Sequence, residues 1–305
     1  RHASYVALSR HRDQGDLHYG KDDFASRERL ALTLAREGAS VVVNDLGGAN
    51  DGTGSDAGPA QQVVDEIVTA GGTAVANTSN VADWAGAKEL VDQAISVYGR
   101  LDVVVNNAGI LRDGFVAGLD ESQWDAVIAV HLKGHFAVLG HAAEYWKTES
   151  KAGRQPAASV INTASVSGTI APNPGQANYG AAKAGIAAMT LVAADELDRY
   201  GVRVNAIAPS ARTRLTLATP VMSAMLAAEA ETAAETGGFD AFHPDQIAPL
   251  VAFLAAEKTD ITGRVFMVQG GSISELINWH VGETIETDGP WEIADIESRI
   301  HEILA

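Results

Sequence analysis

Ser165, Tyr179 and Lys183 are the side chains of this sequence whose types and spacing point most directly to chemistry. Tyr179 and Lys183 stand four apart in Asn178-Tyr-Gly-Ala-Ala-Lys183, so on a helix they share a face and the ammonium lies beside the phenol. A free tyrosine titrates near ~10 and is a poor base at neutral pH. An adjacent cation is expected to stabilise the phenolate and lower that value. The tyrosine then serves as general acid or base for a carbonyl/alcohol pair. Ser165, fourteen residues upstream, is placed to hold the substrate oxygen, and Lys183 to hydrogen-bond a nicotinamide ribose as well. The trio reads as a hydride-transfer site. A Tyr-x-x-x-Lys pair by itself is a common accident of amphipathic helices, so its meaning depends on the elements that carry it.

Those elements alternate. From Arg27 onward strand-like and helix-like segments follow one another, the signature of a parallel sheet wrapped by helices. A helix from Leu30 ends at Gly38 and leads to the buried-type strand Ser40–Asn44; Pro59 opens a helix with Val63, Val64, Ile67 and Val68 on one face. Strand Thr73–Asn77, helix Ala85–Tyr98, strand Leu101–Asn106 and a long helix around Trp124–Trp146 come next. Strand Ser159–Thr163, the Tyr179 helix, strand Arg203–Ala208, a helix near Asp245–Ala255 and strand Arg264–Val268 complete the series. The fold expected is α/β: a doubly wound, Rossmann-like parallel sheet in one domain over 27–271, with an atypical N-terminal segment 1–26 and a C-terminal helical tail 272–305. Residues 210–243 follow a strand end, where open α/β sheets bind ligands, and read as a substrate lid. The tail carries Ile293, Ile296, Ile300 and Ile303 as an amphipathic helix that should dock on the core or on another subunit.

Composition narrows the function classes. With 22 basic against 39 acidic residues the formal charge is -17, which argues against nucleic acid and anionic membrane as partners, since both need clustered cations. No cysteine is present, so disulfides, thiolate metal sites and cysteine nucleophiles are excluded, and the cytoplasm is the expected compartment. The longest apolar run, Ile247–Ala256, is far shorter than a membrane span, and no secretory signal is visible. A small-molecule substrate is the expected partner, and no metal is expected.

Further patterns fall at strand ends in the order a dinucleotide-binding sheet needs. Asp45 ends a strand where a carboxylate can accept both ribose hydroxyls of NAD and repel the extra phosphate of NADP. Asn106-Asn107-Ala108-Gly109, Ser165 and Asn205-Ala-Ile-Ala-Pro209 end three others. Together these residues resemble the short-chain dehydrogenase/reductase family over roughly Arg27 to Gly271. The resemblance implies Ser165, Tyr179 and Lys183 as catalytic residues and NAD as cofactor. Asp45, Leu46, Asn107, Ala108, Gly109 and the loop Pro209 to Thr213 would then contact that cofactor, beside Tyr179 and Lys183. Within the family, Val41-Val-Val-Asn-Asp-Leu-Gly-Gly48, the insertion Ala49 to Ala60 and Val130-His-Leu-Lys-Gly134 are similar to the (3R)-hydroxyacyl-CoA dehydrogenase domain of peroxisomal multifunctional enzyme type 2 and its single-domain bacterial relatives. That implies an acyl-CoA or steroid-type secondary alcohol as substrate, and a homo-oligomer. His131 stands where most of the family has an asparagine supporting a proton-relay water; an imidazole can replace the amide there, and a packed, satisfied histidine is the competing reading. Ser210 replaces the glycine that usually follows the proline.

The front departs from the pattern. Family members open with a strand and a Thr-Gly-x-x-x-Gly-x-Gly turn whose amides cradle a pyrophosphate at a helix N-terminus. Here Lys21-Asp-Asp-Phe-Ala-Ser-Arg27 precedes the Leu30 helix without a glycine, and its two acids oppose a pyrophosphate. Tyr5 to Leu8 is a candidate first strand. The departure supports an alternative: a catalytically impaired relative that keeps the fold for subunit assembly. Two decoys are set aside. Gly15-Asp-Leu-His-Tyr-Gly20-Lys21-Asp22 is one residue short of a phosphate loop and carries aspartate where the magnesium-ligating hydroxyl belongs. Gly52-x-Gly54-x-x-Ala57 lies past its strand between Asp51 and Asp56 and reads as a mobile insertion.

Overall fold

The computed structural model describes residues 4–10, 38–47, 58–211, 228–230, 232, 238–277 and 279–304. Its strands are β1 (Ser4–Arg10), β2 (Ala39–Asn44), β3 (Thr73–Asn77), β4 (Val103–Asn106), β5 (Ala158–Thr163), β6 (Val202–Pro209), β7 (Val265–Gln269) and β8 (Ser272–Glu275). The helices are α1 (Gly58–Thr69), α2 (Trp84–Tyr98), α3 (Glu121–Ile128), α4 (Gly134–Lys151), α5 (Ala177–Asp198), α6 (Ala248–Ala255) and α7 (Ile293–Arg299). The strands form one sheet in the order β3-β2-β1-β4-β5-β6-β7-β8. The reversal of strand order between β1 and β4 is that of a doubly wound fold.

Alternation along the strands builds a core on each face. Val42, Val104, Val160 and Val204 face α2, α4 and α5, with Trp146 fully buried among them. Val41, Val43, Val103, Val105, Ile161 and Ile207 face the opposite layer, with Ile67 of α1 and Leu250, Val251 and Leu254 of α6. Both faces are covered, which is why these strands read as continuous apolar runs.

Four differences from the sequence expectation bear on function. Helix α3 starts at Glu121, earlier than Trp124, because Asp120 and Gln123 form a reciprocal capping box at its N-terminus. It runs into α4 through a π-helical turn, Ala129–Lys133, that carries His131. The resulting helix Glu121–Lys151 is long and apolar enough by composition to cross a membrane, and 44% of its most apolar window is buried inside the fold. Strand β8, expected as the start of the tail, pairs antiparallel with β7 after a turn with Gly270 at φ 52°.

The fourth difference is β1. It lies between β2 and β4, where a first strand belongs, and runs antiparallel to both. Ser4 therefore sits beside Asn44 at the carboxyl edge of the parallel strands, while Arg10 pairs with Ala39 at the amino edge. The connection from β1 to β2 begins and ends at that amino edge. The glycine-free stretch 21–27, the Leu30 helix and both decoys lie outside the described residues.

The contacts divide the chain into units 1–275 and 276–305. In the second, α7 is opened by a capping box between Glu292 and Asp295, and Ile293 and Ile296 stay accessible. Most of the expected lid, 210–243, lies outside the described residues.

Candidate active site

Parallel pairing of β4, β5 and β6 brings their carboxyl ends to one edge of the sheet, and β2 ends on the same edge. Thr163 ends β5, and two residues on Ser165 caps a short 3-10 turn, Val166–Gly168; its Oγ accepts a hydrogen bond from Ser167 N at 3.2 Å. Gly168 lets this turn sit against α5: a Cβ there would lie 2.5 Å from Ala184 N and 2.7 Å from Gly180 O. Helix α5 is apolar nearly all round, consistent with its position between sheet and neighbouring helices.

The start of α5 is held by Asn178, which is buried. Its Oδ1 accepts from Tyr179 N at 2.7 Å, and its Nδ2 donates to Arg112 O at 2.9 Å and Gln123 O at 3.3 Å. One turn later Lys183, 2% exposed, donates from Nζ to Thr163 O at 2.6 Å. Its Nζ lies 5.6 Å from the centre of the Tyr179 ring. Tyr179 is half-buried, and the Ser165 hydroxyl is near enough to favour its ionised form. The structure thus brings Ser165, Tyr179 and Lys183 together.

The electrostatics correct one expectation. The phenol of Tyr179 is pushed up from its ordinary value by burial and, to a smaller degree, by the Asp113 carboxylate; the Ser165 hydrogen bond opposes them. Lys183 is itself pushed down to about 7 by burial, so near neutral pH it is not a full cation beside the ring. Desolvation outweighs the expected charge effect because Thr163 O, a neutral acceptor, is the partner shown for the ammonium. The amine thus lies beside the Tyr179 ring with its hydrogen bond directed to Thr163 O.

His131 is fully buried with its ring edge-on to Tyr179 at 5.2 Å. Its Nε2 lies 2.8 Å from Ile110 O and 3.0 Å from Ile110 N, and the tautomer decides which pairing holds. Gly109 leaves room for the imidazole, since a Cβ there would lie 2.5 Å from its Cε1. These contacts pack His131 against the loop after β4 with its ring also facing Tyr179. Behind it, His135 is buried and held well below its ordinary value by desolvation, then by Lys183 and His131.

The cofactor residues divide. Asp45 is fully buried at the end of β2, with Oδ1 accepting from Gly47 N at 2.7 Å, and Leu46 beside it is half-buried. Asn107, Ala108 and Gly109 follow β4; Asn107 Oδ1 accepts from Thr163 Oγ1 at 3.1 Å. Pro209 ends β6, and Ser210 N donates to Val268 O at 2.9 Å. Thr213 lies outside the described residues. This edge places the residues that could hold a dinucleotide at its two ends: the Asp45 carboxylate for a ribose diol, and Lys183 with Tyr179 for a second ribose. Between them, among the described residues, β1 runs from the carboxyl edge toward the amino edge. Among the described residues no group of metal-ligating side chains converges.

Sequence reasoning missed Asp113, Ser167 and Gln176. Gln176 is buried, and its Nε2 donates to Asp113 Oδ2 at 3.0 Å while Gly114 N donates to Gly175 O at 2.8 Å. No local pattern signals contacts between segments more than sixty residues apart.

Comparison with known proteins identifies the family and the fold. The family model for short chain dehydrogenases matches residues 28–220. Hydroxyacyl-CoA dehydrogenase ChsB1 of Mycobacterium tuberculosis is 41% identical over 283 residues, covering 90% of this chain and 84% of that protein. Peroxisomal multifunctional enzyme type 2 of Mus musculus is 40% identical over 246 residues, 81% of this chain and 30% of that longer protein. The crystal structure of a short chain dehydrogenase from Mycobacterium avium superposes with a TM-score of 0.78 at 48% identity, covering 90% of each chain.

Proposed function

The chain belongs to the short-chain dehydrogenase family of oxidoreductases, and from that premise we propose that it oxidises the secondary alcohol of a 3-hydroxyacyl-CoA, or a similarly bulky lipid-like alcohol, to the ketone with NAD. The observation that carries the reading is the assembly of Ser165, Tyr179 and Lys183 at the carboxyl edge of the sheet, with Lys183 Nζ tied to Thr163 O. Tyr179, as the phenolate, takes the hydroxyl proton, Ser165 holds the oxygen, and Lys183 in its protonated form beside the ring favours the phenolate. The nicotinamide, when bound, supplies the acceptor for the hydride. The names of the hydroxyacyl-CoA dehydrogenase and the peroxisomal enzyme support the substrate class. A small molecule as partner, rather than nucleic acid or an anionic membrane, accords with the charge of -17, and a cytoplasmic homo-oligomer completes the proposal. The test is formation of NADH from NAD with (3R)-3-hydroxyacyl-CoA against simple secondary alcohols; turnover on none of these overturns the proposal.

The choice of NAD rests on Asp45. A buried carboxylate accepts ribose hydroxyls and repels a 2'-phosphate, so NAD should bind more tightly than NADP. Asp45→Ala should shift the ratio of the two dissociation constants toward NADP by about tenfold, the equivalent of about 1.4 kcal/mol. An unchanged ratio would remove Asp45 from the cofactor site.

A second reading, an impaired relative that keeps the fold for assembly, is favoured by the direction of β1. On this reading the glycine-turn amides of the family do not meet the pyrophosphate, and charge-assisted hydrogen bonds worth about 1.5–3 kcal/mol each are lost. We expect NAD binding weaker by one or more orders of magnitude than in the same chain with the residues before Arg27 replaced by a strand and a Thr-Gly-x-x-x-Gly-x-Gly turn. Calorimetric titration of both chains checks this, and equal affinities would show that the front builds a phosphate site of its own.

A further inference from the structure

We propose that Asp113 and Gln176 form a strap that positions Ser165, and through it the Tyr179 hydroxyl, so that Gln176 is a positioning residue for the reaction. The proposal rests on the dehydrogenase reading for its consequence in turnover and on contacts in the structure for its existence. Gln176 Nε2 donates to Asp113 Oδ2 at 3.0 Å, and Ser167 Oγ donates to Gln176 Oε1 at 3.5 Å. Ser167 N in turn donates to Ser165 Oγ at 3.2 Å, and the Ser165 hydroxyl is one of the groups that act on the Tyr179 phenol. The side chains of Asp113, Gln176 and Ser167, continued by the Ser167 backbone N–H, thus lead from an exposed carboxylate to the Ser165 hydroxyl.

The chain has a direction. Ionised Asp113 can only accept, so the amide of Gln176 must turn its NH₂ toward Asp113 and its oxygen toward Ser167. That orientation draws the Ser167 hydroxyl away from Ser165 and leaves the Ser167 N–H aimed at Ser165 Oγ. With one lone pair occupied in this way, Ser165 is left to donate toward Tyr179, or toward a substrate oxygen in its place. The backbone reinforces the arrangement: Gly114 N donates to Gly175 O at 2.8 Å, which ties the loop after β4 to the residues before α5. Gln176 is 7% exposed, whereas a glutamine with only a solubilising role would sit in water.

Tyr179 is faced by several groups that could obscure the effect: Lys183 on its own helix, His131 from the π-helical turn, Asp113 from the loop after β4 and the Ser165 hydroxyl. A double-mutant cycle separates them, because only the strap acts through Ser165. The probe is Tyr179→3-fluorotyrosine in the full-length chain, whose fluorine resonance reports ionisation of this phenol alone. Gln176→Met keeps the volume and adds no charge. It should weaken the proton-binding contrast set by Ser165 and raise the phenol's proton affinity severalfold, up to about tenfold for one pKa unit. In a Ser165→Ala background the same change should cause no further shift. If Gln176→Met fails to fold, Gln176→Asn, too short to bridge Asp113 and Ser167, is read in the same way.

Turnover gives a second readout. Gln176→Met should lower kcat by about tenfold with KM for the alcohol little changed, the mark of an interaction that matters in the transition state. Equal shifts of the fluorine titration in both backgrounds, or none in either, would overturn the strap. Absence of dehydrogenase activity in the parent chain would instead sink the functional reading, and the titration cycle would still decide the strap.

Discussion

Tyr179→Phe is expected to remove turnover while leaving the fold intact. The phenylalanine ring occupies nearly the same volume, keeps the edge contact with His131 and leaves the cap of α5 in place, because that cap uses the backbone N–H of residue 179. Only the hydroxyl is lost, and with it the proton-transfer group. General acid–base catalysis by one positioned side chain contributes about 10²–10⁴-fold, so the variant should fall by at least about a hundredfold in kcat. Circular dichroism and the denaturation midpoint should match the parent. Retained activity in a folded variant would exclude the proposed chemistry.

Lys183→Met should produce the opposite combination of effects: a more stable protein near neutral pH that turns over at least about a hundredfold more slowly. The amine of Lys183 has an ordinary value of 10.5 and is pushed down to about 7 by burial. The unfolded chain therefore holds this proton up to about pH 10.5, while the folded chain sheds it above about 7. Between those limits folding releases a proton, so stability rises with pH across that window and is flat below it. At pH 7 the buried amine costs the fold on the order of 4 kcal/mol, an upper figure for a site this dry. Methionine avoids that cost and loses the hydrogen bond to Thr163 O, worth about 1 kcal/mol. The variant should gain about 2–3 kcal/mol at pH 7, and the gain should shrink toward zero as pH approaches 10. Urea unfolding of both proteins across this range measures it. A stability difference independent of pH would show that burial does not depress Lys183.

How much of this was legible in the sequence depends on the range of the interactions involved. Strands such as Thr73–Asn77 were read to the residue because an apolar run between turn signals is a local property. Ser165, Tyr179 and Lys183 were legible because two lie one helical turn apart and the third follows a strand end. The strand β8 was missed: Ser272-Ile-Ser-Glu275 is short and mostly polar, and only its pairing with β7 makes it a strand. The direction of β1 was not legible either, since Tyr5 to Leu8 reads identically in both directions and the choice is made by its neighbours. The expectation for Tyr179 had the right partner and the wrong balance. Sequence spacing places an amine beside a phenol, but whether that amine carries its charge depends on burial that only packing supplies. Gln176 and Asp113 lie beyond sequence reasoning for the same reason.

The central claim is hydride transfer from a secondary alcohol at the Ser165–Tyr179–Lys183 site. Its most direct test follows deuterium from the carbinol carbon of (3R)-3-deuterio-3-hydroxyacyl-CoA in the presence of the full chain and saturating NAD. The account predicts one deuterium delivered to the nicotinamide for each ketone formed, with transfer lost in Tyr179→Phe. Ketone formed without deuterium in the nicotinamide, or no ketone at all, would contradict it.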